Sequence, residues 1–416
     1  MAQDPAARTT ATDGADRRPF TLTPFRGLRF DPETVGDLST VISPPYDVLD
    51  ADTVRTLENA NRRNVVRLIL SRRFHPPYVA VGERLEKWRA KSYLRPDDQP
   101  TLYLYEYTAE GTTVRGLIGL VGLRAEHERV ILPHEDVMAG PVDDRAMLMR
   151  TTRTNLEPIL LSHRGTDRLR DLLAAVATEP PETDVVALDG SAHRLWAIVD
   201  PWVQETVACE LVGTQALIAD GHHRYAAYLR LQEEMRDPDA PPGTSPWDHG
   251  LAMLVDEEDA PLRVGPIHRS IAALTLSDLQ DLADDHDHEL TTCADRESAF
   301  AALTSADPKI ASFVVSDGLS WAVLRVPRTN EVDAAVLHER LMPDWRIAEE
   351  QVGYHHSLDQ ALRATIRAVG LVVALRPPTV AEVRGTAARG ERMPRKSTSF
   401  GPKPRMGVVM RDLRDG

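Results

Sequence analysis

Apolar and polar positions follow two periods along this chain, and the places where one gives way to the other mark its elements. Residues 1 to about 19 show neither period and read as a polar, disordered leader. Val41-Ile42 predicts a strand that stops at Ser43-Pro44-Pro45-Tyr46-Asp47, because two consecutive prolines fix φ and remove ladder donors. Residues 53–60 and 79–91 carry helical spacing, and Val65 to Leu70 reads as a buried strand. Leu102–Tyr107 and Val114–Leu123 flank Glu110-Gly111, a hairpin signature. Asp143–Arg150 and Arg168–Val176 predict helices, with strands at Ile159–Leu161, Val185–Leu188 and Arg194–Val199. Leu217-Ile218-Ala219 is a short apolar strand that runs straight into Asp220-Gly221-His222-His223-Arg224 and then a helix to about Met235.

The stretch 238–246, rich in Pro, Gly and Asp, predicts a linker between a region 20–237 and a second α/β region, 247–416. Beyond it strand-like and helix-like segments alternate, and the pattern predicts a last strand at Met406–Met410. No internal repeat is evident. The mixture of hairpins and helices predicts an α+β, or mixed α/β, fold.

Composition narrows the class. The 416 residues include 42% hydrophobic and 27% charged positions, ordinary for a globular protein with a sizeable core. No apolar run is long enough for a membrane span, and the leader has no secretory h-region. Two cysteines, Cys209 and Cys293, exclude a disulfide framework and suit a reducing cytoplasm. The net charge of −14 argues against a nucleic-acid partner, since phosphate neutralisation needs cations. The basic residues are unevenly spread: seven fall between Arg384 and Arg405 against one acid, and two of the chain's five lysines are among them.

Four segments carry chemistry. In Asp220–Arg224 a strand ends, a tight turn follows and a helix begins. Asp220 is expected as the N-cap, Gly221 as the point of close backbone approach, and His222, His223 and Arg224 as donors at a helix end that attracts anions. A capped helix with surface histidines would leave the same trace. Adjacent helical histidines point about 100° apart, so chelation of one ion by both is disfavoured. In Met393–Pro404, prolines and a glycine stiffen a loop that alternates Lys396, Ser397, Thr398 and Lys403, all donors to phosphate oxygens, without the spacing of a P-loop. Tyr46-Asp47 presents a carboxylate from a rigid turn. His134-Glu135, followed by Asp144-Arg145, forms a further polar group. Nucleophile-elbow, zinc-protease and dinucleotide motifs are absent.

Taken together and in this order, Phe25-Arg26-Gly27-Leu28-Arg29-Phe30, Val35-Gly36-Asp37-Leu38, Ser43 to Val48, Asn64 to Leu68, Leu132-Pro133-His134-Glu135, Asp144-Arg145, Ala219 to Arg224 and Met393 to Lys403 resemble the bacterial and archaeal domain of unknown function 1015 family. That family is described as similar to free-serine kinases of the ParB/sulfiredoxin-like superfamily. The resemblance implies a small α+β core of that type with insertions. It implies phosphate contacts from Gly221, His222, Arg224, Lys396, Ser397, Thr398 and Lys403. The catalytic set would be Asp47 as base, Asp220 and His223, with Asp220 also near Mg2+, and Tyr46, His134, Glu135 and Arg145 would be auxiliary. His222 stands where sulfiredoxins carry their reactive cysteine, so sulfinic-acid chemistry is not implied. The activity implied is phosphoryl transfer to or from L-serine or O-phosphoserine, with ATP, ADP or pyrophosphate as donor. A nucleotide-binding regulator and a phosphoserine phosphatase are the alternatives. A single site requires the 393–404 loop to fold back onto Asp220.

Overall fold

A computed structural model describes residues 18–415 apart from Phe74, Ser305, Ala306, Pro308 and Asn330, and apart from the side chains of Asp47 and Arg72. Most of the expected leader lies outside the described residues. Arg18 is already paired with Glu128, and Phe20 is buried.

The architecture is mixed α/β. Its largest sheet has nine strands in the order β6–β11–β8–β12–β5–β4–β10–β9, with β1 added to β5. They are β1 (Leu22–Thr23), β4 (Leu102–Ala109), β5 (Thr112–Gly122), β6 (Ile131–Leu132), β8 (Ile159–His163), β9 (Thr183–Val186), β10 (Ala192–Ile198), β11 (Ala216–Asp220) and β12 (His249–Asp256). The β4–β5 hairpin turns on Glu110 and Gly111, both at positive φ, as the right-handed twist of paired strands requires. A four-stranded sheet joins β3 (Leu94–Pro96), β2 (Gly27–Phe30), β21 (Met410–Asp412) and β7 (Thr154–Asn155). A six-stranded sheet, β15–β17–β16–β19–β14–β18, is built from β14 (His268–Ala272), β15 (Glu289–Cys293), β16 (Ile310–Ser316), β17 (Trp321–Pro327), β18 (Val352–His355) and β19 (Gly370–Ala374). β13 (Arg263–Gly265) pairs with β20 (Ser399–Gly401).

The segment 238–246 leads directly into β12, which pairs on one side with β5 and on the other with β8. Strands from both sides of it therefore share one sheet. One hydrophobic cluster runs without a break from Tyr105 and Met253 in the large sheet to Phe313 and Val373 in the six-stranded sheet and on to Phe400. The C-terminal β21 returns to pair with β2 and β7.

Three local expectations are corrected. Val65 to Leu70 contains a helical turn, Val66–Ile69, because the Asn64 carboxamide accepts the Val66 N–H and donates to Ile42 O and Thr40 O. A short apolar run has no periodicity to separate the two states, and this side-chain to backbone bonding from Asn64 decides. Val41-Ile42 is not a strand; it follows a 3-10 turn, Leu38–Thr40. Met406 makes only a bridge to Ser43, and the terminal strand is Met410–Asp412.

Candidate functional site

β11 ends at Asp220, and the helix His222–Glu234 starts two residues later. Gly221, not Asp220, is the N-cap, at φ 97°, and no side chain caps this helix. A Cβ there would meet Ile159 Cγ2 at 3.0 Å and Arg224 Nε at 3.2 Å, so both the φ and the packing call for glycine.

The Asp220 carboxylate is committed to ion pairs. Oδ1 lies 2.6 Å from Lys403 Nζ and Oδ2 2.6 Å from Arg224 Nη2. Burial would raise its pKa, but Lys403 and then Arg224 overcome this and hold it ionised, below the usual carboxylate range. The loop 393–404 thus closes onto the 219–224 turn, as a single site requires.

Behind Asp220 the charges continue in alternation. Arg224, 5% exposed, donates through Nη1 to Pro158 O and lies 3.5 Å from Glu157 Oε2. Glu157 Oε1 is 3.2 Å from Arg145 Nη1. Arg145 in turn pairs with Asp144 at 2.5 Å, and Asp144 accepts from the Tyr78 hydroxyl at 2.8 Å. The Arg145 guanidinium lies 4.5 Å from the centre of the Tyr46 ring. This chain of ions ties β11, the Leu156–Pro158 turn and the helix Ala139–Thr152 together.

The loop itself is held by Glu135. Its carboxylate accepts the backbone N–H groups of Lys396 (3.3 Å), Ser397 (3.0 Å) and Thr398 (2.8 Å), and the Thr398 hydroxyl at 2.8 Å. Lys396 takes φ 59°, so successive amides converge as an anion nest. Burial raises the Glu135 pKa, partly offset by these donors and by Lys396. Next to it, Met393 N–H donates to His134 O and Arg392 to Pro133 O, fixing the loop's entry.

The histidines are neutral. Burial lowers His222 to about 3, with His223, Arg392 and Lys403 adding and only Asp220 opposing. His223 is lowered by burial and then by Lys396, and His134 well below its ordinary value by burial and His222. His223 Nε2 accepts the Met138 N–H at 3.1 Å, and His222 Nε2 accepts the His134 N–H at 3.4 Å. In neutral rings the proton of each then sits on Nδ1, leaving both as uncharged donors. His134 shares a 2.8 Å hydrogen bond with Thr398 Oγ1.

The cleft wall thus carries Tyr46, Glu135, Asp220, Gly221, His222, His223, Arg224, Lys396, Thr398 and Lys403 of the expected residues. Arg145, His134 and Ser397 are not on it, and Ser397 lines a second cavity instead. Arg224 is on the wall, but its guanidinium is engaged by Asp220, Glu157 and Pro158. The Asp47 side chain lies outside the described residues; its backbone is in the turn Tyr46–Val48. Sequence reasoning missed Asp136, His356 and Arg395 on the rim, and Glu157 behind it. Arg395 had left a trace in the basic stretch 384–405, His356 in the pair His355-His356, and Glu157 as a lone acid inside the apolar run 156–161.

The donor set does not suit a resident metal ion. Both Asp220 oxygens are ion-paired, Glu135 is filled with N–H donors, and among the described residues no group of three His, Cys, Asp or Glu side chains could hold one. Among the described residues no helix is long and apolar enough to cross a membrane.

No curated protein sequence matches the chain. Among solved structures it is similar to a mutant free serine kinase in complex with AMP, at 15% identity, covering 72% of this chain and 91% of that one with a TM-score of 0.39. It is also similar to a conserved hypothetical protein from Pyrococcus furiosus, at 18% identity over 69% of this chain and 93% of that one, TM-score 0.36. A third is SbnI with a C-terminal truncation from Staphylococcus aureus, at 11% identity over 69% and 84%, TM-score 0.37. A family profile matches residues 22–343, well over half of the sequence, although Lys396 and Lys403 lie beyond it. By that match the chain belongs to the family described as protein of unknown function (DUF1015).

Proposed function

We propose that this chain is a phosphotransferase that converts a small hydroxy amino acid, L-serine, to O-phosphoserine, with ATP, ADP or pyrophosphate as donor. The observation that carries this is the convergence of Lys396, Lys403, Arg395 and an uncapped helix start on one polar cleft beside an ionised aspartate. Phosphoryl transfer asks mainly for positioning and for stabilisation of charge on the moving phosphoryl oxygens. The lysine ammonium groups, the first amides of the 222–234 helix and the Nδ1–H groups of His222 and His223 supply donors of that kind. Neutral histidines add hydrogen bonds without over-binding the anionic product.

In the step, the serine hydroxyl gives its proton to a carboxylate as its oxygen bonds to phosphorus and the donor's bridging P–O bond breaks. Asp47 is the base this reading assigns, and Tyr46, its neighbour on the cleft wall, would line the acceptor side. Asp220, held between Lys403 and Arg224, orients the Lys403 ammonium. Any Mg2+ would arrive on the donor's phosphates, since the described residues offer no cage for it.

Phosphorus NMR on the purified protein with L-serine, Mg2+ and each donor in turn tests the reading. A phosphoserine signal with one donor is the expected result and names that donor. Phosphate released from O-phosphoserine alone would replace it with a phosphatase. Nucleotide binding with serine untouched would leave a binding switch.

A further inference from the structure

Glu135 sits where an oxyanion ligand would sit. Three consecutive backbone amides and one hydroxyl of the 396–398 loop point at a single carboxylate whose side chain is 13% exposed. A backbone nest of this kind is selective for anionic oxygen and indifferent to what carries it. Here the carrier belongs to the chain itself, 261 positions away from Lys396.

We infer that the 396–398 nest is a second oxyanion site of the cleft, that its ligand is a phosphoryl group, and that Glu135 is an internal stand-in which the ligand displaces. The inference rests on the proposed phosphotransferase reading only for the identity of the anion.

Four observations support displacement over a permanent clamp. Glu135 lines the same cleft as Lys396 and Lys403, so a ligand held by those ammonium groups reaches the nest without crossing a wall. Burial works against the ionised carboxylate, which lowers the cost of removing it. The loop borders a further cavity of about 220 Å³, lined in part by Met393 and Ser397, so it has room to shift. There is also a buried positive charge in the field of Glu135: Arg269 is fully buried, and its Nη2 has no hydrogen-bond partner among the described residues. Arg269 spends Nε on His338 and Nη1 on Ile267 O, and its guanidinium lies 4.8 Å from the Tyr354 ring centre. An uncompensated buried guanidinium is costly, and a carboxylate freed from the nest would compensate it.

Calorimetric titration of the full chain with pyrophosphate tests this in the wild type, Glu135→Ala and Glu135→Gln. Removing an internal competitor should tighten pyrophosphate binding about tenfold in Glu135→Ala, with Glu135→Gln in between because it keeps an acceptor but loses the charge. Unchanged or weaker binding in variants with wild-type circular dichroism would overturn the inference and make Glu135 a clamp. If Glu135→Ala does not fold, Glu135→Gln decides by the same sign. L-serine is titrated in parallel: a gain for serine in place of pyrophosphate would overturn the phosphoryl assignment. Failure of the wild type to transfer phosphate would count against the proposed function and leave this comparison of affinities intact.

Discussion

The two walls of the cleft each carry a motif with basic residues, yet they place those residues differently. On the 219–224 turn the arginine is buried, and its guanidinium is committed to Asp220, Glu157 and Pro158 O. On the 393–404 loop the backbone is anchored by Glu135, while Arg395 and Lys396 stay at the rim. One wall is held by side-chain ions and offers its backbone and neutral rings. The other is anchored at Glu135 by its backbone and keeps its cations on the cleft wall, Lys403 against Asp220 and Arg395 against Glu349. A basic residue in a motif is therefore not by itself a ligand contact. Its burial and the acids that face it decide whether it binds the fold or the substrate.

The largest effect that would break this contrast is on stability. Arg224→Ala leaves Asp220 and Glu157 as under-compensated buried acids and should cost about 3–5 kcal/mol in denaturant unfolding. A variant of unchanged stability that only weakens phosphate binding would return Arg224 to the ligand side. Next comes Lys403→Ala. It removes one of two partners of Asp220, so pyrophosphate affinity should fall about tenfold, with a smaller loss of stability. Equal affinity in the two proteins would place the anion elsewhere.

The pH dependence of stability sharpens the first wall. His222 is neutral in the fold, with a pKa near 3, whereas an unfolded histidine titrates near 6.5. Between those values the unfolded chain binds the proton and the native one does not. Stability from this group is thus complete above about pH 6.5 and falls below it by up to about 1.4 kcal/mol per pH unit. The wild type minus His222→Gln, compared by urea unfolding at pH 7 and pH 5, isolates that slope from the carboxylates. A flat difference would mean that the ring is solvated. The smallest effect is expected at the rim. Arg395 pairs with Glu349 at 2.5 Å, with both side chains about 40% exposed, so Arg395→Ala should change stability by less than about 1 kcal/mol. Its pyrophosphate affinity should drop a few-fold, and a cooperative loss of fold in this variant would show that the loop depends on the rim pair.

Much of the site was legible in the chain. The strand–turn–helix at 217–224 follows from apolar residues meeting Asp-Gly, and the stiff loop at 393–404 from its prolines. Their meeting was required by the chemistry and is realised in the Lys403–Asp220 contact. The errors have physical causes. Asp220 was expected as an N-cap because its residue type favours that place. In the fold its oxygens find two full cations instead, and charged partners outweigh a backbone amide. Ser397 shows what a residue type cannot tell: its side chain is buried and donates to Pro394 O, and it is its amide that faces Glu135. Val65 to Leu70 was expected as a strand because five apolar residues around Arg67 are too short a run to show a period.

What the sequence by itself determined was local: which segments are apolar, where glycine and proline force turns, which residue types sit at the strand–helix junction, and the cationic character of residues 384–405. These follow from short-range sterics and from transfer of side chains out of water, and neither needs a distant partner. Which charges face a ligand was decided only by the tertiary structure. Glu135 and Lys396, or Glu157 and Arg224, are brought together by sheet order across 261 and 67 positions, and Coulomb energy depends on separation in space and on burial. The same arginine in the same motif grips a substrate or holds a buried acid according to what the fold packs against it.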